Sequence, residues 1–443
     1  MKNILLFGAG KSATALIDYL KKVATQYQWL VTVADANAAV AAEKIGEHSL
    51  VKAVGIVIED ATQRIALIQQ ADIVISMLPA ALHFIVAKDC LEWNKHLLTA
   101  SYVDDNIKQL AASVQERGLL FLCEMGLDPG IDHMSAMQMI AAIQQKGGRI
   151  TSFQSHCGGL VAPESDDNAW HYKISWNPRN VVMAGKAGAI FKENNTIMQI
   201  PYEQIFLHCV ELKNASIPHL SCYPNRDSLH YMEQYGLTEV ATFKRTTIRH
   251  NHFCGYWEWI VNSKLTSEEY RYDTNGLSFA AFYKKHFKKI EPLDEFKKGE
   301  YKWVSAVPLL NHVIKDIGWF DDNLYINKGI CTAAEIFQFI LETKWAMQPN
   351  DKDLVLMIHE IEYTLSGKKY YHHAELKVTG ENAVHTAMAK TVGLPLGIAA
   401  TLLLNNQLYL KGLHIPAHPE IYNAVLPILE KEGVCFTTST HAI

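Results

Sequence analysis

The first fourteen residues, MKNILLFGAGKSAT (Met1 to Thr14), decide how the N-terminal third of the chain folds. Ile4 to Phe7 is a short apolar run that predicts a buried strand, and Ala13, Leu16, Ile17, Leu20, Val23 and Ala24 recur on one helical face. Gly8-Ala9-Gly10-Lys11-Ser12-Ala13 therefore falls where a strand turns sharply into a helix N-terminus. Gly8 permits the turn, and Gly10 lets a pyrophosphate approach the backbone. Ala13, small enough for close packing, takes the third position of GxGxxG/A. A second apolar strand is predicted from Trp29 to Ala34 and runs into Asp35, roughly two dozen residues after the glycines. A carboxylate there can accept hydrogen bonds from both hydroxyls of an adenosine ribose. The bland alternative is a strand–turn–helix with a surface aspartate. The placement of all three features favours a dinucleotide.

Composition bounds the remaining classes. A chain of 443 residues suggests about three domains of ordinary size. A hydrophobic fraction of 49% with 20% charged residues is that of a globular protein with a large core. The formal net charge of −5 argues against nucleic acid or an anionic membrane as a bulk partner. It leaves room for a local basic pocket. The chain starts in a strand without a signal peptide, and no apolar run reaches the roughly 18 residues needed to span a bilayer. The eight cysteines (90, 123, 157, 209, 222, 254, 331 and 435) are scattered, without zinc spacing, and the histidines show no HxxxH or HExxH pattern. Reduced thiols, no metal and a cytoplasmic location are the expectation.

Ala71 to Leu78, His96 to Val103 and Gly118 to Cys123 read as further buried strands, with a polar helix from Asp104 to Arg117. Strands alternating with helices predict an α/β fold: a Rossmann doubly wound parallel sheet with helices on both faces. The turn-rich junction Glu124 to His133 opens a helix over Met134 to Gln145. Beyond it, Thr151 to Cys157, Trp170 to Trp176, Ile200 to Val210 and Thr246 to Trp259 look β-prone, which predicts an α+β domain with an antiparallel sheet. From about 265 to 350 the chain turns helical and charged, and Lys284-Lys285, Lys288-Lys289 and Lys297-Lys298 read as a solvated face rather than a binding patch. Asp353 to Tyr363 and Tyr370 to Val378 should pair across Ser366 to Lys369, with helices following at His385 to Val392 and Leu396 to Asn405.

Chemistry-bearing residues cluster at strand ends. Ser101 and Tyr102 close the fifth strand, at the edge where open α/β sheets bind ligands. Asp128, before Pro129-Gly130 and just beyond the sixth strand, should face the same crevice; it reads either as a turn former or as a catalyst. Arg226 lies in the turn Cys222 to Ser228, and Arg249 ends the run Arg245-Thr246-Thr247-Ile248-Arg249. Two arginines in a net acidic chain suit a ligand with several carboxylates, which guanidinium grips with paired hydrogen bonds. Two surface ion pairs are the alternative. Cys157 reads as a reactive thiol or, more simply, as a small buried apolar residue.

The stretches EMGLDPGIDHM (124–134), SHCGGLVAPESDDN (155–168), YKISWNPR (172–179), CYPNRDS (222–228) and RTTIR (245–249) resemble the saccharopine dehydrogenases of the L-glutamate-forming type, or saccharopine reductases. KDLVLMIHEIE (352–362) and HTAMAKTVGLPLGIA (385–399) carry the resemblance through most of the chain. It implies a Rossmann domain over 1–127, completed by C-terminal helices within 385–443. A substrate-binding and dimerisation domain with a mixed sheet would span 128–384, with a helical insertion at about 265–350, in a homodimer. It further implies that Ser101, Tyr102, Asp128, Arg226, Thr247, Ile248 and Arg249 contact saccharopine, and the guanidinium groups of Arg226 and Arg249 are expected to converge beside the nicotinamide ring to anchor its carboxylates. The turn Ala9 to Ser12, the segment Asp35-Ala36-Asn37, Met77, the Gly126-Leu127-Asp128 junction and Trp176-Asn177 would contact the dinucleotide. The implied reaction is oxidation of saccharopine through an imine to L-glutamate and 2-aminoadipate 6-semialdehyde, or its reverse. Asp128 is the candidate for taking a proton or activating water, and Tyr102 is its rival.

One departure bears on the cofactor. NADP-using members carry Cys-Arg-Thr after the second strand, where this chain reads Asp35-Ala36-Asn37. A carboxylate repels a 2′-phosphate and Ala36 offers no cation, so NAD is expected over NADP, although Lys11 in the glycine turn is near enough in sequence to compensate. Two other readings stay open: a related imine reductase or amine dehydrogenase, such as carboxynorspermidine synthase or lysine 6-dehydrogenase, and a non-catalytic dinucleotide sensor. The CYPNRDS and GLDPGIDHM stretches favour saccharopine, because a lysine-only substrate needs fewer carboxylate clamps.

Overall fold

The computed structural model describes residues 1–290 and 312–443. The chain divides into two compact units, one formed by Met1–Ile150, Gln234–Gly236 and Glu362–Ile443, the other by Thr151–Glu233 and Leu237–Ile361. The first unit thus takes in the helix after the junction, a tripeptide from mid-chain and everything after Glu362, more than the 1–127 and 385–443 expected for it.

In the first unit, β1 (Asn3–Phe7), β2 (Leu30–Asp35), β3 (Val51–Gly55), β4 (Ile73–Ser76), β5 (His96–Thr99) and β6 (Leu120–Leu122) alternate with helices. A seventh strand, Gly412–His414, pairs in parallel with β6, so the order is β3-β2-β1-β4-β5-β6 and then this last strand. All pairings are parallel, and the order reverses between β1 and β4, the switch point where such sheets hold ligands. Leu5, Phe7, Val74, Leu97 and Phe121 form one fully buried layer. The helix α1 (Thr14–Tyr27) buries Leu16, Ile17, Leu20, Val23 and Ala24, the face read from the sequence.

The C-terminal region departs from expectation. Ala387–Leu404 is one helix with Pro395 inside it, not two. Nearly every residue of it is buried, and packing outweighs the hydrogen bond that proline removes. Among the described residues it is the one helix long and apolar enough to cross a membrane, but 83% of that stretch is buried inside the structure. A Cβ on Gly393 would lie 2.9 Å from the Leu16 nitrogen and one on Gly397 2.6 Å from the Tyr19 ring, so glycine lets this helix press against α1.

The second unit holds a mixed sheet, as the resemblance implies, which corrects the antiparallel one expected from its β-prone stretches. The strand Arg149–Val161 is parallel to Thr242–His250, which is antiparallel to Leu220–Pro224. Its main core is aromatic: Trp170, Tyr172, Phe253, Trp257 and Trp345 are all buried together. Three β-prone readings are corrected here. Trp170 to Trp176 forms no strand but an irregular segment whose Ile174 makes an isolated bridge to Ala346. After Ile200 the chain enters a 3-10 helix, Tyr202–His208, started by Pro201. The strand ending at His250 passes directly into the helix Asn251–Asn262, whose apolar face packs into the aromatic core. Aromatic and β-branched content read as strand in all three places, whereas burial in a tertiary core decided the outcome. Lys284, Lys285, Lys288 and Lys289 are exposed on the helix Phe279–Lys289, while Lys297-Lys298 lie outside the described residues. The strand Asp353–Leu365 turns into Lys368–Thr379 through Ser366 and Gly367, both at positive φ (51° and 79°), as a two-residue hairpin turn requires.

Candidate active site

The glycine turn follows β1. Gly8 has φ +96°, and a Cβ on it would sit 2.9 Å from the Met77 carbonyl oxygen, so β1 and the end of β4 approach too closely for any side chain. Nothing lies within 4 Å of the Cβ position at Gly10, which leaves backbone open to a phosphate at the first turn before α1. Ala13 is buried. Asp35 does more than wait for a ribose. Its Oδ2 accepts the Ala9 N–H at 2.7 Å and its Oδ1 the Asn37 N–H at 2.8 Å, tying the turn to the end of β2. Asn37 caps the helix Ala38–Ile45 by accepting from Ala39 N–H, and Ala36 is exposed. Open glycine backbone, a helix N-terminus and a carboxylate at the end of β2 fit the pyrophosphate and ribose of a dinucleotide.

The strand ends beside that turn carry the second cluster. Tyr102 Oη donates to Asp128 Oδ1 at 3.4 Å, so the two rival proton carriers stand together, both partly accessible. Ser101 is held by His83, whose Nε2 lies 2.7 Å from Ser101 Oγ and whose Nδ1 lies 2.9 Å from Ser76 Oγ. Burial pushes the His83 imidazole down to about 4, so it is neutral at physiological pH. The Gly126–Gly130 loop is held by its own hydrogen bonds and a close backbone approach. Gly126 N–H donates to the Pro129 carbonyl, Gly130 N–H to Asp132 Oδ1 at 2.6 Å, and a Cβ on Gly130 would overlap Gly126. Behind it, buried Glu124 accepts Val103 N–H through Oε1 (3.1 Å) and meets His133 Nε2 through Oε2 (2.9 Å). The other His133 nitrogen lies 2.6 Å from Tyr235 Oη. Sequence reading assigned no role to His83, Glu124, Asp132, His133 or Tyr235. The signal available was three ionisable residues crowded around Asp128 in one turn-rich stretch.

In the second unit Arg249 is 4% exposed and has no carboxylate partner among the described residues. Its guanidinium lies 5.2 Å from the Tyr172 ring centroid and 5.5 Å from that of Phe253, Nη1 donates to the Ile248 carbonyl at 2.8 Å, and Nε is unpartnered. Thr247 shares its strand face, opposite Tyr223 and Cys157, and Cys157 is buried. Ile248 points the other way. Its side chain is wholly buried in an apolar layer with Leu160, Leu356 and Ile358, which leaves its backbone as the part that could meet a substrate. Arg226 is exposed, at φ 52°, beyond the end of the strand on which Ser221 faces Arg249. Ser221 to Pro224 alone spans about 10 Å. The two arginines therefore sit at opposite ends of one strand pair, not side by side. Asn177 is exposed and caps Pro178–Val182 by accepting Arg179 N–H at 3.0 Å, a structural task that sequence reading did not foresee. All eight cysteines are free, and no metal-holding cluster occurs among the described residues.

Comparison with known proteins places this arrangement. The family model described as saccharopine dehydrogenase C-terminal domain matches residues 126–434, and that described as saccharopine dehydrogenase NADP binding domain matches residues 4–122. The chain belongs to the saccharopine dehydrogenase family. It is 33% identical to the alpha-aminoadipic semialdehyde synthase of Arabidopsis thaliana, over 98% of this chain and 44% of that protein. It therefore spans about half the length of the plant and animal relatives it matches. It is 28% identical to the saccharopine dehydrogenase [NADP(+), L-glutamate-forming] of Schizosaccharomyces pombe, over 98% of both chains. The solved apo saccharopine dehydrogenase (L-Glu forming) from Saccharomyces cerevisiae has a similar structure, with TM-score 0.85, 27% identity and full coverage of both chains. The α/β architecture read from the sequence is that of this family.

Proposed function

We propose that the protein is a saccharopine dehydrogenase of the L-glutamate-forming type, interconverting saccharopine with L-glutamate and 2-aminoadipate 6-semialdehyde. The observation that carries this reading is the buried guanidinium of Arg249, whose Nε is unpartnered and beside which no acid stands among the described residues. A charge removed from water without a partner is costly, and a substrate carboxylate supplies the partner with two parallel hydrogen bonds. Tyr172 and Phe253 hold the guanidinium in place for it. Arg226 suits a second carboxylate of an extended substrate, because it lies at the far end of the strand pair.

Saccharopine is a secondary amine with three carboxylates. The nicotinamide supplies hydride transfer when bound. The chain's own residues orient the ε-carbon of the lysine moiety and keep its nitrogen neutral, so that the lone pair can assist hydride departure. Asp128 takes the amine proton and passes it through Tyr102 to solvent; ionised again, it takes a proton from the water that splits the imine and returns it to the departing glutamate nitrogen. Neutral His83 orients Ser101 toward the same substrate.

The preferred dinucleotide in this reading is NAD, because Asp35 is a carboxylate and Ala36 carries no cation. The fungal relatives named for NADP(+) run against that preference, so saturation kinetics with both cofactors decide it; a higher kcat/KM with NADP overturns it. A homodimer is proposed on the family resemblance, and sedimentation tests it. The central test is the absorbance of reduced nicotinamide with saccharopine against each oxidised cofactor. Turnover of free lysine but not saccharopine would move the protein to the lysine 6-dehydrogenase reading, and binding without turnover of either to the sensor.

A further inference from the structure

The phosphate turn has a cation that the sequence places far from it. Lys44, in the last turn of the helix Ala38–Ile45, donates its Nζ to the Gly10 carbonyl at 2.6 Å, so its ammonium lies on the glycine turn itself. Burial disfavours that ammonium, while the charges of Asp35, Glu43 and Asp18 favour it. Lys44 therefore stands in the electrostatic field of the carboxylate at the end of β2. Both oxygens of Asp35 are already engaged by the Ala9 and Asn37 amides, which lie on the turn and on the loop leading to the Lys44 helix. The Asp35 carboxylate, the Gly10 carbonyl and the Lys44 ammonium thus form one array around the open backbone at Gly10. A ribose accepted by Asp35 and a pyrophosphate at Gly10 bring the adenosine end of a dinucleotide to this array.

We infer that Lys44, rather than residue 36, is the cation that receives the 2′-phosphate of a phosphorylated dinucleotide. A lysine is a compact point charge with three donors, so it can keep the Gly10 carbonyl and still pair a phosphate. Asp35 then penalises a 2′-phosphate and Lys44 offsets the penalty, which makes the discrimination against NADP graded rather than absolute. This inference rests on the dinucleotide reading and goes beyond it, because it assigns cofactor specificity to a helix outside the loop where the family's arginine would stand.

The test is direct binding, without turnover. The full-length apo protein is titrated with NADPH and with NADH, following tryptophan fluorescence, for wild type, Lys44→Met and Lys44→Arg. Loss of one charge-assisted contact predicts about tenfold weaker NADPH binding in Lys44→Met, with NADH within about twofold of wild type. Lys44→Arg should restore most of the NADPH affinity. Adenosine 2′,5′-bisphosphate as competitor should show the same loss and ADP should not. Equal weakening of both dinucleotides would mean that Lys44 serves the pyrophosphate or the turn, and unchanged binding of both would mean that it serves neither; each result overturns the inference. Failure of wild type to bind either dinucleotide would instead sink the dinucleotide reading. Thermal melting of each variant confirms that the fold is retained.

Discussion

Replacing Arg249 with methionine should separate stability from binding. The arginine is 4% exposed, and among the described residues its contacts include one carbonyl and two aromatic faces but no acid. Taking a guanidinium out of water without an anion costs several kcal/mol. The rings return about 1–2 kcal/mol each and the hydrogen bond to Ile248 about 2 kcal/mol. The sum is near zero, and methionine fills the same space without the desolvation cost. The apo protein with Arg249→Met should therefore melt where wild type does, or be more stable by up to about 2 kcal/mol. Substrate tells the opposite story. Losing a desolvated charge pair costs about 3–5 kcal/mol, which is roughly a 10²–10³-fold or greater loss in kcat/KM for saccharopine. Arg249→Lys keeps the charge but not the fork, and should fall between the two. The assays are thermal melting without ligand and steady-state kinetics over a range of saccharopine concentrations. A variant that melts well below wild type yet retains its kcat/KM would refute the argument and make Arg249 a structural residue.

Three further outcomes are expected. Asp128→Asn should lower kcat by about 10²–10⁴ and Tyr102→Phe by less, with the double variant no worse than Asp128→Asn because the two share one hydrogen bond; a fully additive double-mutant cycle would break that coupling. Ala36→Arg should move the ratio of kcat/KM values toward NADP while leaving the Asp35 link to Ala9 intact; Asp35→Ala/Ala36→Arg should move it further but weaken both cofactors, because that link is lost. Stability should pass through a maximum in pH. His83 is depressed to about 4, so its contribution is present above its ordinary range and is lost as pH falls toward 4, by about 3 kcal/mol in all. Burial of His156 opposes its charge, but hydrogen bonds and charges from Cys222 and Glu360 outweigh it and raise it to about 9. Its contribution is therefore present below its ordinary range and is lost as pH rises through 9. Urea denaturation across pH checks both limbs, and a His156→Gln variant that keeps the alkaline decline would contradict the assignment.

What the chain determines by itself is local: strands, helix faces and the turn between them. Ile4 to Phe7, Gly8, Gly10 and the α1 stripe are legible because a buried strand and an amphipathic helix have fixed periods, and because Gly8 occupies a backbone region that side chains avoid. Asp128 and Tyr102 could be named from their strand ends, and both arginines from their chemistry. Tertiary structure alone decided the rest. It put Lys44 on the glycine turn, buried Arg249 against two aromatic rings with its Nε unpartnered, and turned Ile248 away from it. It also set Arg226 at the other end of the strand pair and built the Glu124–His133–Tyr235 chain behind the Asp128 loop. The reason is the range of the forces. Periodicity and turn chemistry act over a few neighbouring residues, whereas desolvation and hydrogen-bond satisfaction are settled among groups a hundred or more positions apart, as His133 and Tyr235 or His156 and Glu360 are.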